Sequence, residues 1–345
     1  MTRLQKTYLD AFQIPADQIT SSAEVRFIST DTFKNLFQKN NHILIVPSQQ
    51  TPNPETSLNT FKTHPRIYQA SMSRQVAADL PSDIVQTSLK DEPKDWFIKT
   101  ADFGDEYDRV LQHRDGEYTQ LLEDIARYHQ IFEQGYDKII LLRPPTYTGY
   151  DIQLTAAMQC LGYTKEQFQF IIVQPIKLYA FHKATQKIHP IPDLPTEELT
   201  SAIGMDALRW HSLRVPLNAI APINISTAGQ ANDSLYRVQA AYYRCFALLQ
   251  QAKNEITPEN SISLPMAEKL NSFLQAVPQI LERSANEIAP NLVIQHLETI
   301  GEFCHKWLDS LESTSPDYTL LLTTKQTIFD LLVNIFNITA PEPGN

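Results

Sequence analysis

The chain has 345 residues, of which 42% are apolar and 20% charged, with 9 Gly against 22 Pro; this suffices for two ordinary domains and excludes fibrous and disordered classes. No apolar run nears the roughly 18 residues of a membrane-crossing helix, and the amino terminus lacks a long apolar core with a cleavage site, so the expected protein has no membrane span and no secretory signal and is cytoplasmic. Net charge is −10, with 20 basic against 25 acidic residues up to Met205 and 9 against 14 from Asp206 onward, a balance that argues against a surface made for a phosphate backbone and against DNA as a partner.

Residues 1 to about 50 predict a helix on Leu4, Tyr8 and Phe12, a strand at Val25 to Ile28, a helix opened by Thr30 or Asp31, and a strand at Ile43 to Val46. The Ser, Thr, Asn and Pro composition of 47–65 predicts a loop, followed by a short helical stretch. Trp96 to Thr100 reads as a strand with Val110 to His113 as its hairpin partner. Leu121, Ile125, Tyr128 and Phe132 then form one face of a helix. Ile139 to Leu142, a helix from about Ile152 to Leu161 and the strand Phe168 to Val173 make a strand, helix, strand unit of a doubly wound sheet. Cys160, Cys245 and Cys304 are too few and too scattered for a disulfide framework or a metal knuckle.

From Asp206 onward amphipathic helix dominates. Leu235, Val238, Tyr242, Cys245 and Leu249 line one helix, capped by Asn232, Asp233 or Ser234. A second carries Ala267, Leu270, Leu274, Val277 and Leu281, with a kink at Pro278. A third follows on Ile294, Leu297, Ile300, Cys304, Trp307 and Leu311, and a fourth on Ile328, Leu331, Leu332, Ile335 and Phe336. This half reads as an all-α helix bundle.

The motifs, taken in order, resemble the second half of an arginyl-tRNA synthetase. The run Thr100 to Val110 is similar to that family's threonine, aspartate, phenylalanine, glycine, aspartate pattern. Asp115-Gly116, Asp124-Ile125-Ala126, Phe132, Gly135 and Asp137 continue in family order, as do Ala156-Ala157, Leu161-Gly162-Tyr163 and Val173-Gln174. Asp206, Ala207, Leu208 and Arg209 spell the tetrapeptide that names the family's helical domain, and Phe336 to Glu342 looks like its ending. The resemblance implies an α/β Rossmann-like domain derived from a class I synthetase over 1–204, followed by an all-α bundle of the DALR anticodon-binding type over 205–345.

The same resemblance marks departures. Class I synthetases hold ATP phosphates with a His-x-Gly-His motif at a helix amino terminus, and none of the nine histidines sits in such a sequence. For the mobile Lys-Met-Ser-Lys loop the nearest stand-in is Lys187, Ile188, His189, Pro190, with Lys183 upstream. Asp124 falls on the family's substrate-binding aspartate, but Gln120 and Arg127 replace the tyrosines expected beside it, and of the stretch after the central strand only Gly149 matches. Asp124, Gln120, Arg127 and Gly149 are therefore read as a substrate-pocket remnant, with Asp124 paired to Arg127.

No residue is expected to be catalytic, and no metal or cofactor is expected. The acidic cluster Asp102, Asp105, Glu106 and Asp108 reads as a solvated hairpin partly neutralised by Arg109. Arg209, Trp210, Arg237, Gln239 and Arg244 are candidates for RNA contact or for tying helices together. The tail Pro341 to Asn345 departs from the Arg-Met ending that the family brings to the anticodon. The function expected is a catalytically inactive paralogue that binds or scaffolds a protein partner. Binding of tRNA or another RNA through the helical domain is the alternative, and residual arginyl-tRNA synthetase-type ligation a third.

Overall fold

The computed structural model describes residues 42–45, 53–79, 93–143, 145, 148–252, 265–311 and 316–341. Two compact units are formed, Asn40–Ile172 and Val173–Asn345. The helix expected on Leu4, Tyr8 and Phe12, the strand Val25 to Ile28 and the helix at Thr30 or Asp31 lie outside the described residues.

The first unit runs β1 (His42–Ile45), α1 (Pro54–Phe61), β2 (Ile67–Ala70), α2 (Arg74–Asp79), β3 (Asp95–Ile98), β4 (Arg109–Gln112), α3 (Gln120–Glu133), β5 (Lys138–Arg143), α4 (Thr148–Cys160) and β6 (Phe168–Ile172). β1, β5 and β6 form a parallel sheet with β5 in the middle, and β2, β3 and β4 form an antiparallel one with β3 in the middle. All four residues from Ile139 to Leu142 are buried, as expected for a central strand covered on both faces. Leu122, Ile125 and Ile131 of α3 and Leu154, Ala157 and Met158 of α4 join Ile98, Leu111, Ile139 and Leu141 in one core.

Two elements differ from expectation. A helix, α1, stands where composition predicts a loop, because the Asn53 side chain accepts hydrogen bonds from the amides of Glu55 and Thr56 and Pro54 takes the first helical position; a good cap overrides a polar sequence. The short helical stretch expected after Pro65 is α2, but an unexpected strand, β2, comes before it, since Ile67 pairs with Ile98 across the sheet and is buried there.

The second unit runs β7 (Ile176–His182), β8 (Lys187–Pro190), α5 (Thr196–Ile203), α6 (Met205–Leu213), β9 (Ala221–Asn224), α7 (Ser234–Ala252), α8 (Pro265–Glu287), α9 (Pro290–Asp309) and α10 (Tyr318–Phe329), the last continuing into a π turn at Asp330–Ile335. β7 pairs antiparallel with β8 and parallel with β9. The region after Asp206 is therefore not all helix: β9 returns to the strand laid down before it. Position 204/205, the boundary expected from the sequence, falls inside this unit between α5 and α6. Leu235, Val238, Tyr242 and Cys245 of α7 are buried, with Leu270 and Leu274 of α8 and Ile294, Leu297, Ile300, Cys304 and Trp307 of α9. α8 carries Pro278 within its length.

All three cysteines are free and buried. Cys245 and Cys304, 59 positions apart in the chain, have their sulfurs 3.5 Å from each other inside the second unit. Among the described residues no helix is long and apolar enough to cross a membrane.

Candidate functional site

Gln120, Asp124, Arg127 and Tyr128 fall at helical spacing on one side of α3, and the central strand β5 ends at Arg143, at the carboxyl end of a parallel sheet where α/β folds present side chains to ligands. Tyr150 and Asp151 lie in the first turn of α4, which follows β5. The fold brings these residues into one buried polar cluster. Asp124 is buried and its carboxylate is engaged by three neighbours. Tyr150 donates its hydroxyl to Oδ2 at 2.6 Å, Gln120 donates Nε2 to Oδ1 at 3.4 Å, and Arg127 Nη1 stands 3.6 Å from Oδ1. Arg143 is buried too, with Nη2 3.5 Å from the Tyr128 hydroxyl and Nε 3.4 Å from Asp151 Oδ1.

The electrostatics follow from burial and these pairings. Burial raises the Asp151 carboxyl to about 6, although Arg143 pulls the other way. Burial also pushes the Tyr128 phenol up to about 12. Tyr150 is raised further by burial, then by the Asp124 charge and the hydrogen bond to it. Burial opposes the charge of Arg143, but Tyr128, Asp124 and Asp151 together outweigh it and hold its pKa above the ordinary value. The cluster is a set of mutually compensated charges rather than a nucleophile beside a base.

Of the expected pocket residues, Asp124, Gln120 and Arg127 come together. Gly149 lies exposed one residue before Tyr150, and a Cβ added there would meet nothing within 4 Å. Sequence reasoning missed Arg143, Tyr150 and Asp151 as members. The available signal was a cation closing an apolar strand run in a parallel sheet.

The acidic hairpin is organised differently from expectation. Asp105 takes a two-point pair from Arg109, at 2.7 and 2.6 Å, as anticipated. Asp108, however, is buried rather than solvated. It accepts from Arg74 Nε at 2.6 Å and Nη2 at 3.0 Å, from the Tyr68 hydroxyl at 2.8 Å and from the Ala101 amide at 3.3 Å. Burial works against the Asp108 charge, but Arg74 and Tyr68 more than offset it and its carboxyl titrates below the ordinary range. Arg74 also reaches Asp102 at 2.8 Å. Among the described residues no group of three or more His, Cys, Asp or Glu is arranged to hold a metal ion.

In the second unit the tetrapeptide Asp206 to Arg209 grips the segment that follows the π turn. Asp206 Oδ2 accepts the Thr339 amide at 3.0 Å, Arg209 Nη1 donates to the Asn337 carbonyl at 2.7 Å, and Ala207 and Leu208 are buried between them. Gln239 on α7 donates to the Thr339 carbonyl at 2.7 Å. Trp210 is fully buried and donates Nε1 to Ser234 Oγ at 2.9 Å, while His211 pairs with Asp233 at 2.9 Å just ahead of α7. Arg244 donates to His305 Nδ1 at 2.9 Å and to Asp309 at 2.7 Å. Arg209, Trp210, Gln239 and Arg244 thus all engage this unit's own groups. Arg237 is exposed and lines a cleft of about 490 Å³ with Arg214, Glu298, His305 and Lys306, and Tyr236 and Tyr243 of the same helix are exposed as well. The segment Lys187 to Pro190 is the paired strand β8, exposed throughout.

No family model matches the chain. It is 30% identical over 264 residues to an arginine–tRNA ligase of Oceanobacillus iheyensis, a match covering 72% of this chain and 47% of that protein. A solved chain from Campylobacter jejuni, assigned to the arginyl-tRNA synthetases, superposes with a TM-score of 0.65 at 19% identity, over 84% of this chain and 61% of that one. Thermus thermophilus arginyl-tRNA synthetase gives 0.63 at 14%, over 84% and 57%. The fold is thus class I synthetase-like, a mixed α/β region with a helical region carboxy-terminal to it. The chain spans about half the length of the curated relatives it matches. Sequence and fold agree: the chain is an arginyl-tRNA synthetase-related protein.

Proposed function

We propose that this chain does not activate arginine and acts instead as a binding or scaffolding protein, its first unit a Rossmann-like derivative of a class I catalytic domain and its helical part a DALR-type bundle. The observation that carries this reading is the state of Asp124. The resemblance assigns that carboxylate to the substrate, and here the chain's own Gln120, Arg127 and Tyr150 engage both of its oxygens. A guanidinium supplied by the protein stands where a substrate guanidinium would be sought, and a buried carboxylate already satisfied in this way gains little from a second one. Two further points support it: no histidine lies in a His-x-Gly-His sequence, and Lys187 to Pro190 belongs to a paired strand. Exchange of pyrophosphate into ATP, measured with arginine and total tRNA present, is expected to stay at blank level. Arginine-dependent exchange contradicts the reading and indicates residual ligase chemistry.

A second reading rests on its own observation. Tyr236 and Tyr243, two turns apart on α7, are exposed on one face, with the exposed Arg237 flanking it, and exposed aromatic rings with a guanidinium nearby suit stacking on single-stranded bases. This makes tRNA or another structured RNA the partner. It predicts a gel shift at low salt that weakens as salt rises and that is lost in Arg237→Ala. Absence of any shift with total tRNA at low salt leaves the protein-partner reading standing alone.

A further inference from the structure

Two thiols that neither reading uses meet inside the helical unit. Cys245 on α7 and Cys304 on α9 are both fully buried, and their sulfurs stand 3.5 Å apart, at van der Waals contact. Their approach is held from two sides. One turn before Cys304, Gly301 lets α9 lie against α7: a Cβ added there would stand 3.3 Å from Val238 Cγ2 and 3.4 Å from Val238 Cα. Beside the pair, Arg244 of α7 is bonded to His305 and Asp309 of α9. With the helices fixed in this way, an S–S bond of about 2.0 Å needs the sulfurs to close by only about 1.5 Å.

We propose that Cys245 and Cys304 are a modification site, forming a disulfide that staples α7 to α9 when the protein meets a peroxide. One sulfur, as thiolate, attacks a peroxide oxygen; the O–O bond breaks, a sulfenic acid forms and the departing hydroxide takes a proton to become water. The other thiol, already in contact, attacks the sulfenic sulfur, the S–O bond breaks, and a second water leaves with the thiol proton. Overall two thiols lose two electrons and two protons to the peroxide, which becomes two waters. Contact between the two sulfurs, followed by burial, raises the Cys304 thiol well above its ordinary pKa. Reaction is accordingly slow and limited to a small oxidant. The neighbouring thiol captures the sulfenic acid before it can be oxidised further.

Cys160 is the internal control. It is buried in the first unit, donating Sγ to the Lys99 carbonyl at 3.2 Å, and burial pushes it up to about 12.

The test uses the full chain treated with hydrogen peroxide, unfolded, alkylated and digested without reduction. The expected result is one linked pair of peptides containing Cys245 and Cys304, with Cys160 alkylated. A melting temperature raised on the order of 5–10 °C and restored by dithiothreitol should accompany it, since the bond closes a long loop. Three alkylated cysteines, a link through Cys160, or sulfinic acid at either buried position overturns the proposal. Cys160→Ser, which leaves the pair untouched, should give the same linked peptides and the same shift.

Discussion

Asp151 is buried beside Arg143, and burial outweighs the guanidinium so that the carboxyl titrates near about 6. A carboxyl raised above its unfolded value contributes stability that is fully present below about pH 4 and is lost as pH rises through about 6. Asp151→Asn removes this loss. Its melting temperature should approach that of the parent near pH 4 and gain on it up to pH 7, whereas a constant offset contradicts the assignment. Asp108 has the opposite sign. Its carboxyl is depressed by Arg74 and Tyr68, so its contribution is present above about pH 4 and lost as pH falls through the lower folded value. Arg74→Ala leaves that buried carboxylate short of two charged hydrogen bonds and should cost about 2–3 kcal/mol in urea unfolding at pH 7. The cost should shrink as Asp108 becomes protonated; one unchanged at low pH would place it elsewhere. These residues also show how far the site was legible. Asp124 and Arg127 are three apart on a helix and had to be neighbours. Arg74 lies 34 positions from Asp108, and Arg143 lies on a different element from Tyr128, so no spacing rule connects them before the sheets are assembled.

At the scale of elements, the helices of the second unit were legible because burying one stripe forces apolar residues to recur along it, as Leu235, Val238, Tyr242 and Cys245 do on α7. Its strands carried only a short signal, such as Ile176, Lys177 and Leu178 on β7. β8 is exposed on both faces, and the Phe181 and Ile188 pair between β7 and β8 is exposed as well, leaving no alternation to read. β9 contains Pro222, which local rules count against a strand. It is tolerated because, among the described residues, β9 is an edge paired only with β7. The turn before α7 depends on a backbone feature that a sequence shows only as one more glycine. Gly229 has φ +73°, its amide donates to Asp233, and an added Cβ would stand 2.5 Å from the Ile203 carbonyl oxygen. Gly229→Ala should therefore destabilise the protein by about 2–4 kcal/mol, combining left-handed strain with a forced backbone shift. Thermal unfolding within about 1 °C of the parent would show that the turn relaxes freely.

For the whole molecule, resemblance fixed ancestry better than it could fix activity, because fold and chemistry are carried by different residues. The chain keeps 30% identity over 264 residues to an arginine–tRNA ligase, while its Asp124 carboxylate is engaged by its own Gln120, Arg127 and Tyr150. The tetrapeptide Asp206 to Arg209 makes the same point, since both of its charged ends hold the segment Asn337 to Thr339. The central claim is that the carboxylate assigned to substrate is already occupied, and calorimetric titration of the purified chain with L-arginine tests it most directly. The account predicts no saturable heat at millimolar arginine, for the parent and for Asp124→Asn alike. Saturable one-site binding by the parent that Asp124→Asn abolishes would contradict it.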